Sequence, residues 1–234
     1  MLSGCAPVVA WVISARLTGS WEARTRPHAK TRLRLREMTT RIFTIDGASM
    51  FLQGWGDYGR ILQHGMTSHL RRIAGRLALE RTGPYIAPIT LPGIGDIVLT
   101  TPASRLLESS GLTGFTFRPV EKVLTVELHW EDWDLNAEQP AQFPDSGEPE
   151  DYILGQPNSP EASAALGDLW EASVPNTAAI KRSEDELRLD VTTWNGADLF
   201  RSDAYGGTLF TERAREWFSQ NWGSYVDFTE FPTT

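Results

Sequence analysis

Two segments of this chain follow the same order of patterns. Residues 95–120 read GDIVLTTPASRLLESSGLTGFTFRPV, and residues 196–231 read GADLFRSDAYGGTLFTERAREWFSQNWGSYVDFTEF. Each begins with a short strand-like run, continues with an amphipathic stretch that starts at a threonine, and ends in an aromatic-bearing run. The two segments align when Thr101 is placed on Thr211. The pattern therefore predicts a strand–helix–strand element used twice, within a single α+β domain whose sheet is mainly antiparallel.

The two predicted helices share their start signal. Thr101 is the predicted N-cap of the first helix, because Pro102 follows it and proline is favoured in the first helical turn. Thr211 has the same role in the second helix, and the alignment places Leu107 on Trp217. Two such elements can pack as pseudo-symmetric halves of one domain.

Other segments carry weaker signals. Arg41–Ile45 alternates apolar and polar residues and predicts a strand. Residues 67–83, TSHLRRIAGRLALERTG, have apolar residues at helical spacing and predict a helix that ends at the glycine. Residues 136–165 are rich in proline and acid and predict a long surface loop, within which Ser159 and Pro160 mark the start of a short helix.

The first 37 residues differ in charge from the rest. They hold seven Lys or Arg and two Asp or Glu, whereas the whole chain of 234 residues has a net charge of −8. We interpret residues 1–37 as a basic leader that is disordered and lies upstream of the true start at Met38; a nucleic-acid-binding arm is the alternative. The folded domain is then 38–234.

Charge and composition exclude several partners. Residues 121–190 contain 17 acids and four bases, which disfavours nucleic acid and anionic membrane and favours a protein with a basic surface. No run approaches the length of a membrane span. A single cysteine, Cys5, with no secretory signal indicates a cytoplasmic protein.

Two motifs that suggest catalysis fail on their context. Residues 54–59, GWGDYG, match the glycine spacing of a dinucleotide-binding loop, but the predicted strand ends eight residues too early. Residues 47–51, GASMF, begin like a nucleophile elbow but have Phe51 in place of the second glycine. We therefore predict no catalytic residue and no cofactor.

The stretch VELHWEDWD offers two different readings. On a strand, Glu127, His129 and Glu131 would share one face, opposite the face of Val126, Leu128 and Trp130, and could hold a metal ion if a further ligand came from elsewhere. This is the basis of an alternative function, a small metal-dependent hydrolase. A strand with a solvated outer face is the simpler interpretation, and we predict no metal site.

The same stretch suggests a protein-binding surface. Tryptophans among carboxylates suit a basic partner, because the indoles are buried on binding and the acids pair with Arg or Lys. The predicted partner-facing residues are Trp130, Glu131, Asp132, Trp133 and Asp134, together with Asp145, Glu148, Glu150 and Asp151 of the acidic loop.

The C-terminal segment resembles the closing signature of a group of bacterial immunity proteins. These proteins neutralise polymorphic or contact-dependent toxins and include the swarm-inhibition immunity type. The similarity covers residues 93–125 and 186–231. It is carried by Asp198, Leu199, Phe200, Thr211, Glu212, Ala214, Phe218, Phe228 and Phe231. The paired C-x-x-C motifs of some relatives are absent from this chain, so no zinc site is carried over.

The resemblance implies a function without catalysis. An immunity protein of this group binds a cognate toxin domain and blocks it stoichiometrically, and the acidic charge of this chain suits a basic toxin. The pair Asn195-Gly196 predicts a tight turn that joins the strand ELRLDVTTW to ADLFR in a hairpin. Asp198 and Phe200 are expected to hold this hairpin together rather than to contact the partner. A scaffold or interaction domain without a toxin remains a further alternative.

Overall fold

The computed structural model describes residues 40–47, 59, 62, 64, 66–67, 72–134, 136–142, 149–182, 186–202 and 204–234. These residues belong to a compact unit, Thr39–Thr234. The predicted leader 1–37, Met38 and the GWGDYG motif except Gly59 lie outside the described residues.

The described part of the chain combines short strands with four α-helices. The helices are α1 (Thr101–Glu108), α2 (Pro149–Leu154), α3 (Pro160–Ala165) and α4 (Glu212–Trp222). The strands are β1 (Ile42–Gly47), β2 (Met66–Thr67), β3 (Ala78–Gly83), β4 (Ile89–Thr90), β5 (Val98–Thr100), β6 (Thr116–Pro119), β7 (Glu121–Glu127), β8 (Leu169–Ser173), β9 (Ala179–Arg182), β10 (Leu187–Asp190), β11 (Leu199–Arg201), β12 (Thr208–Thr211) and β13 (Val226–Phe231).

Two four-stranded sheets share one plan. Their strand orders are β4-β5-β8-β6 and β11-β12-β1-β13, and every pairing in both sheets is antiparallel. In each sheet a hairpin leads into a helix and then into a returning strand, and a central strand is inserted between the two strands that flank the helix. The prediction of an α+β domain with two similar strand–helix–strand elements is confirmed.

The central strands are exchanged between the two halves. Strand β1 precedes the first element in the chain but completes the sheet of the second, where Ile42 pairs with both Thr211 and Phe231. Strand β8 precedes the second element but completes the sheet of the first, where Leu99 pairs with Trp170. Each half therefore depends on the other for a central strand. Without that strand, the backbone N–H and C=O groups of the strands on either side of it would lack hydrogen-bond partners.

The two helices have matching caps, but in a register one residue from the predicted one. Thr100, not Thr101, accepts the capping bond of α1 from the Ala103 amide, and Thr211 accepts the bond of α4 from the Ala214 amide. Thr100 has the extended backbone of an N-cap, with φ −68° and ψ 161°, so Thr101 becomes the first helical residue. The structural alignment then places Ala103 on Ala214, and both are buried.

One core joins the halves. Both helices bury one face in it, and so do strands from both four-stranded sheets. Its buried members are Phe43, Ile89, Ile97, Leu99, Ala103, Leu107, Leu112, Ala172, Val174, Leu199, Phe210, Ala214, Phe218, Trp222 and Val226. The shared core makes the two elements a single domain.

The predicted helix over 67–83 is wrong. Residues 78–83 form strand β3, which pairs in parallel with β7 and has all six residues buried. Ala74 and Gly75 have positive φ and turn the chain between Ile73 and Arg76, which bond to each other. The apolar spacing that predicted the helix comes mainly from residues before Ala78, and the strand itself, ALERTG, has buried Glu80 and Arg81 and so no alternation of apolar and polar residues.

The stretch 136–165 is not loop throughout. It contains α2 and α3, and α3 begins as predicted, since the Ser159 hydroxyl accepts a bond from the Ala162 amide at 3.1 Å. Both helices lie beside the sheet β2-β3-β7. This places helices α2 and α3 on one layer with strand β7.

Candidate partner-binding surface

The acidic stretch after β7 is built on a buried tryptophan. Residues 130–132 form a 3₁₀ turn, and Trp130 at its start is only 4% exposed. Its ring meets Tyr85 edge to face, with centroids 4.6 Å apart. Trp130 shares an apolar cluster with Leu62, Val126, Leu128 and Ile153, which we call the Trp130 cluster.

The prediction that Trp130 faces a partner is therefore wrong. Its side chain continues the inward alternation of Val126 and Leu128, a pattern that was already visible in the sequence. Trp133 is half-buried and packs against the Trp130 cluster with one side, so it keeps part of its indole at the surface. Of the two tryptophans, only Trp133 is available to a partner.

The carboxylates of the turn project outward from a fixed backbone. Glu131, Asp132 and Asp134 are all exposed. The Asp132 amide donates to the His129 carbonyl at 3.2 Å. The Asp134 carboxylate accepts from the Asn136 amide at 3.0 Å, which closes the next turn. These three predicted residues are brought together as a rigid acidic projection.

The same region does not form the metal-binding face on which the alternative function depends. Strand β7 ends at Glu127, so Glu131 belongs to the turn and not to the strand. His129 lies between the two carboxylates, with Nε2 3.6 Å from Glu127 Oε1 and Nδ1 3.7 Å from Glu131 Oε1. The carboxylates approach opposite nitrogens of one ring, whereas ligands of one ion must meet at a single point. The described residues contain no group of three or more side chains placed to hold a metal ion.

A second segment lines the surface beside β7. The Ser159 hydroxyl donates to Glu127 Oε2 at 3.1 Å while it also caps α3. The Asn158 side chain accepts from the Thr125 amide at 2.9 Å, so the loop before α3 runs along the strand. Strand β7 and the segment around Ser159 line a groove of about 300 Å³, and its lining includes Glu127 and Glu161.

Negative charge dominates one stretch of the chain that includes this surface. Residues 123–180 contain 12 Asp or Glu and no Lys or Arg. Among the described residues of this stretch the exposed acids are Glu127, Glu131, Asp132, Asp134, Glu138, Asp151, Glu161 and Asp168. Lys122, just outside the stretch, interacts with Asp168, while the stretch itself contributes negative charge only.

The acidic helix α2 is attached to the same apolar cluster. Ile153 of α2 is fully buried in the Trp130 cluster, while Asp151, one of the predicted residues, is exposed. Asp145, Glu148 and the side chain of Glu150 lie outside the described residues. The prediction named neither Glu127 nor Glu161 as partner-facing; the lack of basic residues between Lys122 and Lys181 was the signal that could have found them.

Asp198 has a structural role, as expected, but the predicted hairpin is wrong, because β10 pairs with β9 and β11 pairs with β12. It is 6% exposed, and its carboxylate accepts from the amide and hydroxyl of Thr113 at 2.9 and 3.0 Å and from the hydroxyl of Thr211 at 3.1 Å. Arg213 lies 3.3 Å away. Because Thr113 follows α1 and Thr211 caps α4, Asp198 joins the two strand–helix–strand elements. Phe200 beside it is fully buried.

Within the described ranges, no helix combines the length and the apolar character that a membrane crossing requires. No protein-family model matches this chain, and no curated protein matches its sequence.

Proposed function

We propose that this chain is a non-catalytic immunity protein, which binds a cognate toxin domain and blocks it. The proposal begins from the resemblance of residues 93–125 and 186–231 to such proteins. The structural observation that supports it most is the acidic projection Glu131–Asp134, held on the buried side chain of Trp130. This arrangement suits a protein partner with a basic surface.

Rigid presentation favours tight binding. The backbone of the projection is fixed by its turn bonds and by the Trp130 cluster, so little conformational entropy is lost when a partner binds. Exposed carboxylates pair with Arg or Lys of the partner, and the half-buried Trp133 adds apolar contact at the centre. These are the components of a small recognition patch.

The charge also sets how fast the complex forms. A surface of one sign attracts an oppositely charged partner over a distance and raises the association rate by about 10 to 10³-fold. A toxin that acts on nucleic acid carries a basic substrate groove, and an acidic projection placed in that groove excludes the substrate. Inhibition is then stoichiometric and needs no chemistry from this chain.

The test is rescue of toxicity by co-expression. The toxin domain encoded beside this chain is expressed in a sensitive host with and without the full chain, and the association rate of the purified pair is measured at several salt concentrations. We expect growth arrest by the toxin alone, restored growth with this chain, and an association rate that falls as salt rises. A harmless neighbour, or killing despite equal co-expression, would contradict the proposal.

A double charge reversal tests the proposed face. Glu131→Lys with Asp132→Lys is preferred, because the Asp134 carboxylate also closes its own turn. The matched control reverses two exposed acids elsewhere, Glu108→Lys with Asp227→Lys, and changes net charge equally. We expect the first pair to slow association about tenfold more than the control. An equal decrease of the association rate in both variants would show that the net charge of the chain, and not a particular surface, controls association.

A further inference from the structure

A second groove has the opposite electrostatic character. Its volume is about 620 Å³, and it lies where β6, the edge of one four-stranded sheet, approaches β11, the edge of the other. Its polar lining comprises Thr116, Arg118, Ser173, Asn176, Arg201 and Ser202. Among the described residues, the lining thus holds two guanidinium groups and no carboxylate, in a chain whose net charge is −8. The carboxylate of Asp96, which is not in this lining, interacts electrostatically with Arg201.

Arg201 is held in place. Its Nη2 donates to the Gly206 carbonyl, and its backbone amide donates to the Pro175 carbonyl at 3.1 Å. Its own carbonyl accepts from the Thr177 amide at 3.0 Å, which fixes the strand beside Asn176. Arg201 is therefore a preorganised cation whose remaining guanidinium N–H groups are still available to other acceptors.

Arg118 carries a charge that the described residues leave without a partner. Its side chain is exposed, and its cross-strand neighbour is Glu171 of β8. The Glu171 carboxylate is already bound by both terminal nitrogens of Arg72, at 2.7 and 2.6 Å. Arg118 forms no ion pair with any residue that the structure describes. A guanidinium without an ion pair among the described residues, in the same groove as a second, fixed one, attracts an anion.

Neutral donors complete the lining. Ser202 is 2% exposed, and its hydroxyl oxygen accepts from the Ala204 amide at 3.2 Å, while no described residue accepts the hydroxyl proton. The side-chain amide of Asn176 and the hydroxyl of Ser173 lie in the same groove. Two guanidinium groups with hydroxyl and amide donors are the set that recognises phosphoryl and carboxylate oxygens.

We propose that this groove binds an oxyanion, the phosphoryl or carboxylate group of a small organic molecule. Its volume lies in the range of small-molecule sites, about 300 to 1,000 Å³, and exceeds what a bare phosphate fills. This site is separate from the acidic projection and does not depend on the proposed toxin.

The experiment titrates the full chain with inorganic phosphate, a phosphate monoester and acetate at constant ionic strength. The readouts are calorimetry and the guanidinium resonances of the two arginines in ¹H–¹⁵N NMR spectra. We expect saturable binding with shifts at Arg118 and Arg201. Tighter binding of the monoester than of acetate assigns a phosphoryl ligand, and the reverse order assigns a carboxylate. No saturable binding of any of the three overturns the proposal.

Two variants and a control locate the site. Arg118→Gln removes an exposed charge that makes no described ion pair, and we expect about tenfold weaker binding. Arg182→Gln, an exposed strand arginine outside the groove, is the control and is expected to leave binding unchanged. Arg201→Lys keeps the positive charge but removes the planar guanidinium group that can bind an oxyanion with two parallel hydrogen bonds. Thermal melting checks that this variant is folded. Equal binding by the wild type and Arg118→Gln, or equal loss in the control, refutes the assignment.

Discussion

The carboxylate of Asp198 is expected to be the most sensitive polar group of the fold. Its two oxygens accept three hydrogen bonds from Thr113 and Thr211, and Arg213 lies beside it. Asp198→Ala removes this carboxylate, so the amide and hydroxyl of Thr113 and the hydroxyl of Thr211 lose their hydrogen-bond acceptor. The two strand–helix–strand elements then lose their polar connection, while the apolar core is untouched.

The magnitude follows from burial. A hydrogen bond to a charged group contributes about 1.5 to 3 kcal/mol, and three are lost at a buried carboxylate, so we expect about 4 kcal/mol for Asp198→Ala. Asp198→Asn keeps the shape but replaces an accepting oxygen by nitrogen, and we expect about 2 kcal/mol. The Arg213 side chain is 60% exposed, so Arg213→Gln is expected to cost at most about 1 kcal/mol.

The assay is urea unfolding followed by tryptophan fluorescence, with midpoint and slope fitted separately. The expected order of destabilisation is Asp198→Ala, then Asp198→Asn, then Arg213→Gln, with the slope unchanged. If Arg213→Gln cost as much as Asp198→Ala, the ion pair would be the dominant interaction and the reasoning from buried hydrogen bonds would be refuted. A cost below about 1 kcal/mol for Asp198→Ala would refute it as well.

Three further changes test separate parts of the structure. Trp130→Ala is expected to lower the free energy of unfolding by about 3 to 5 kcal/mol, measured by urea titration, because the ring is buried in the Trp130 cluster. Gly114→Ala is expected to cost at least about 3 kcal/mol in the same assay, since φ is +95° and a Cβ would lie 1.9 Å from the Leu199 carbonyl oxygen. Hydrogen bonds from Lys181 and Thr192 lower the pKa of Asp190 to about 2, so Lys181→Gln is expected to raise that pKa toward 3.8 in a carboxyl NMR titration. Because this folded-state pKa is depressed, the contribution of Asp190 to stability is complete above pH 3.8 and is lost as the pH falls toward 2; an unchanged pKa in the variant would contradict the assignment to Lys181.

Features that depend only on neighbouring residues could be predicted from the sequence. A helix start needs only a hydroxyl and the next three residues, so both long helices were predicted and their caps were placed within one residue. The acidic character of residues 121–190 is a property of composition and required no fold. The inward alternation of Val126, Leu128 and Trp130 also lay in the sequence, although Trp130 was assigned to the surface.

Features that depend on distant partners were decided by the tertiary structure. Strand β3 does not show in the sequence because it buries Glu80 and Arg81 and lacks an alternating pattern, and its pairing with β7 settles its conformation. Arg118 and Arg201 meet in one groove because the edges of two sheets approach each other.

The features that depend most on tertiary structure are the pairing of strands and the hydrogen bonds between distant residues. The sequence alone determined that a strand–helix–strand element occurs twice, since strand period and helix caps are set within a few residues. Only the tertiary structure decided that β1 and β8 exchange places, and that Asp198 accepts its bonds from Thr113, 85 residues away. The edge of a strand can form hydrogen bonds with many other strands. Which strands pair here is determined by burial of apolar residues from both halves in their common core.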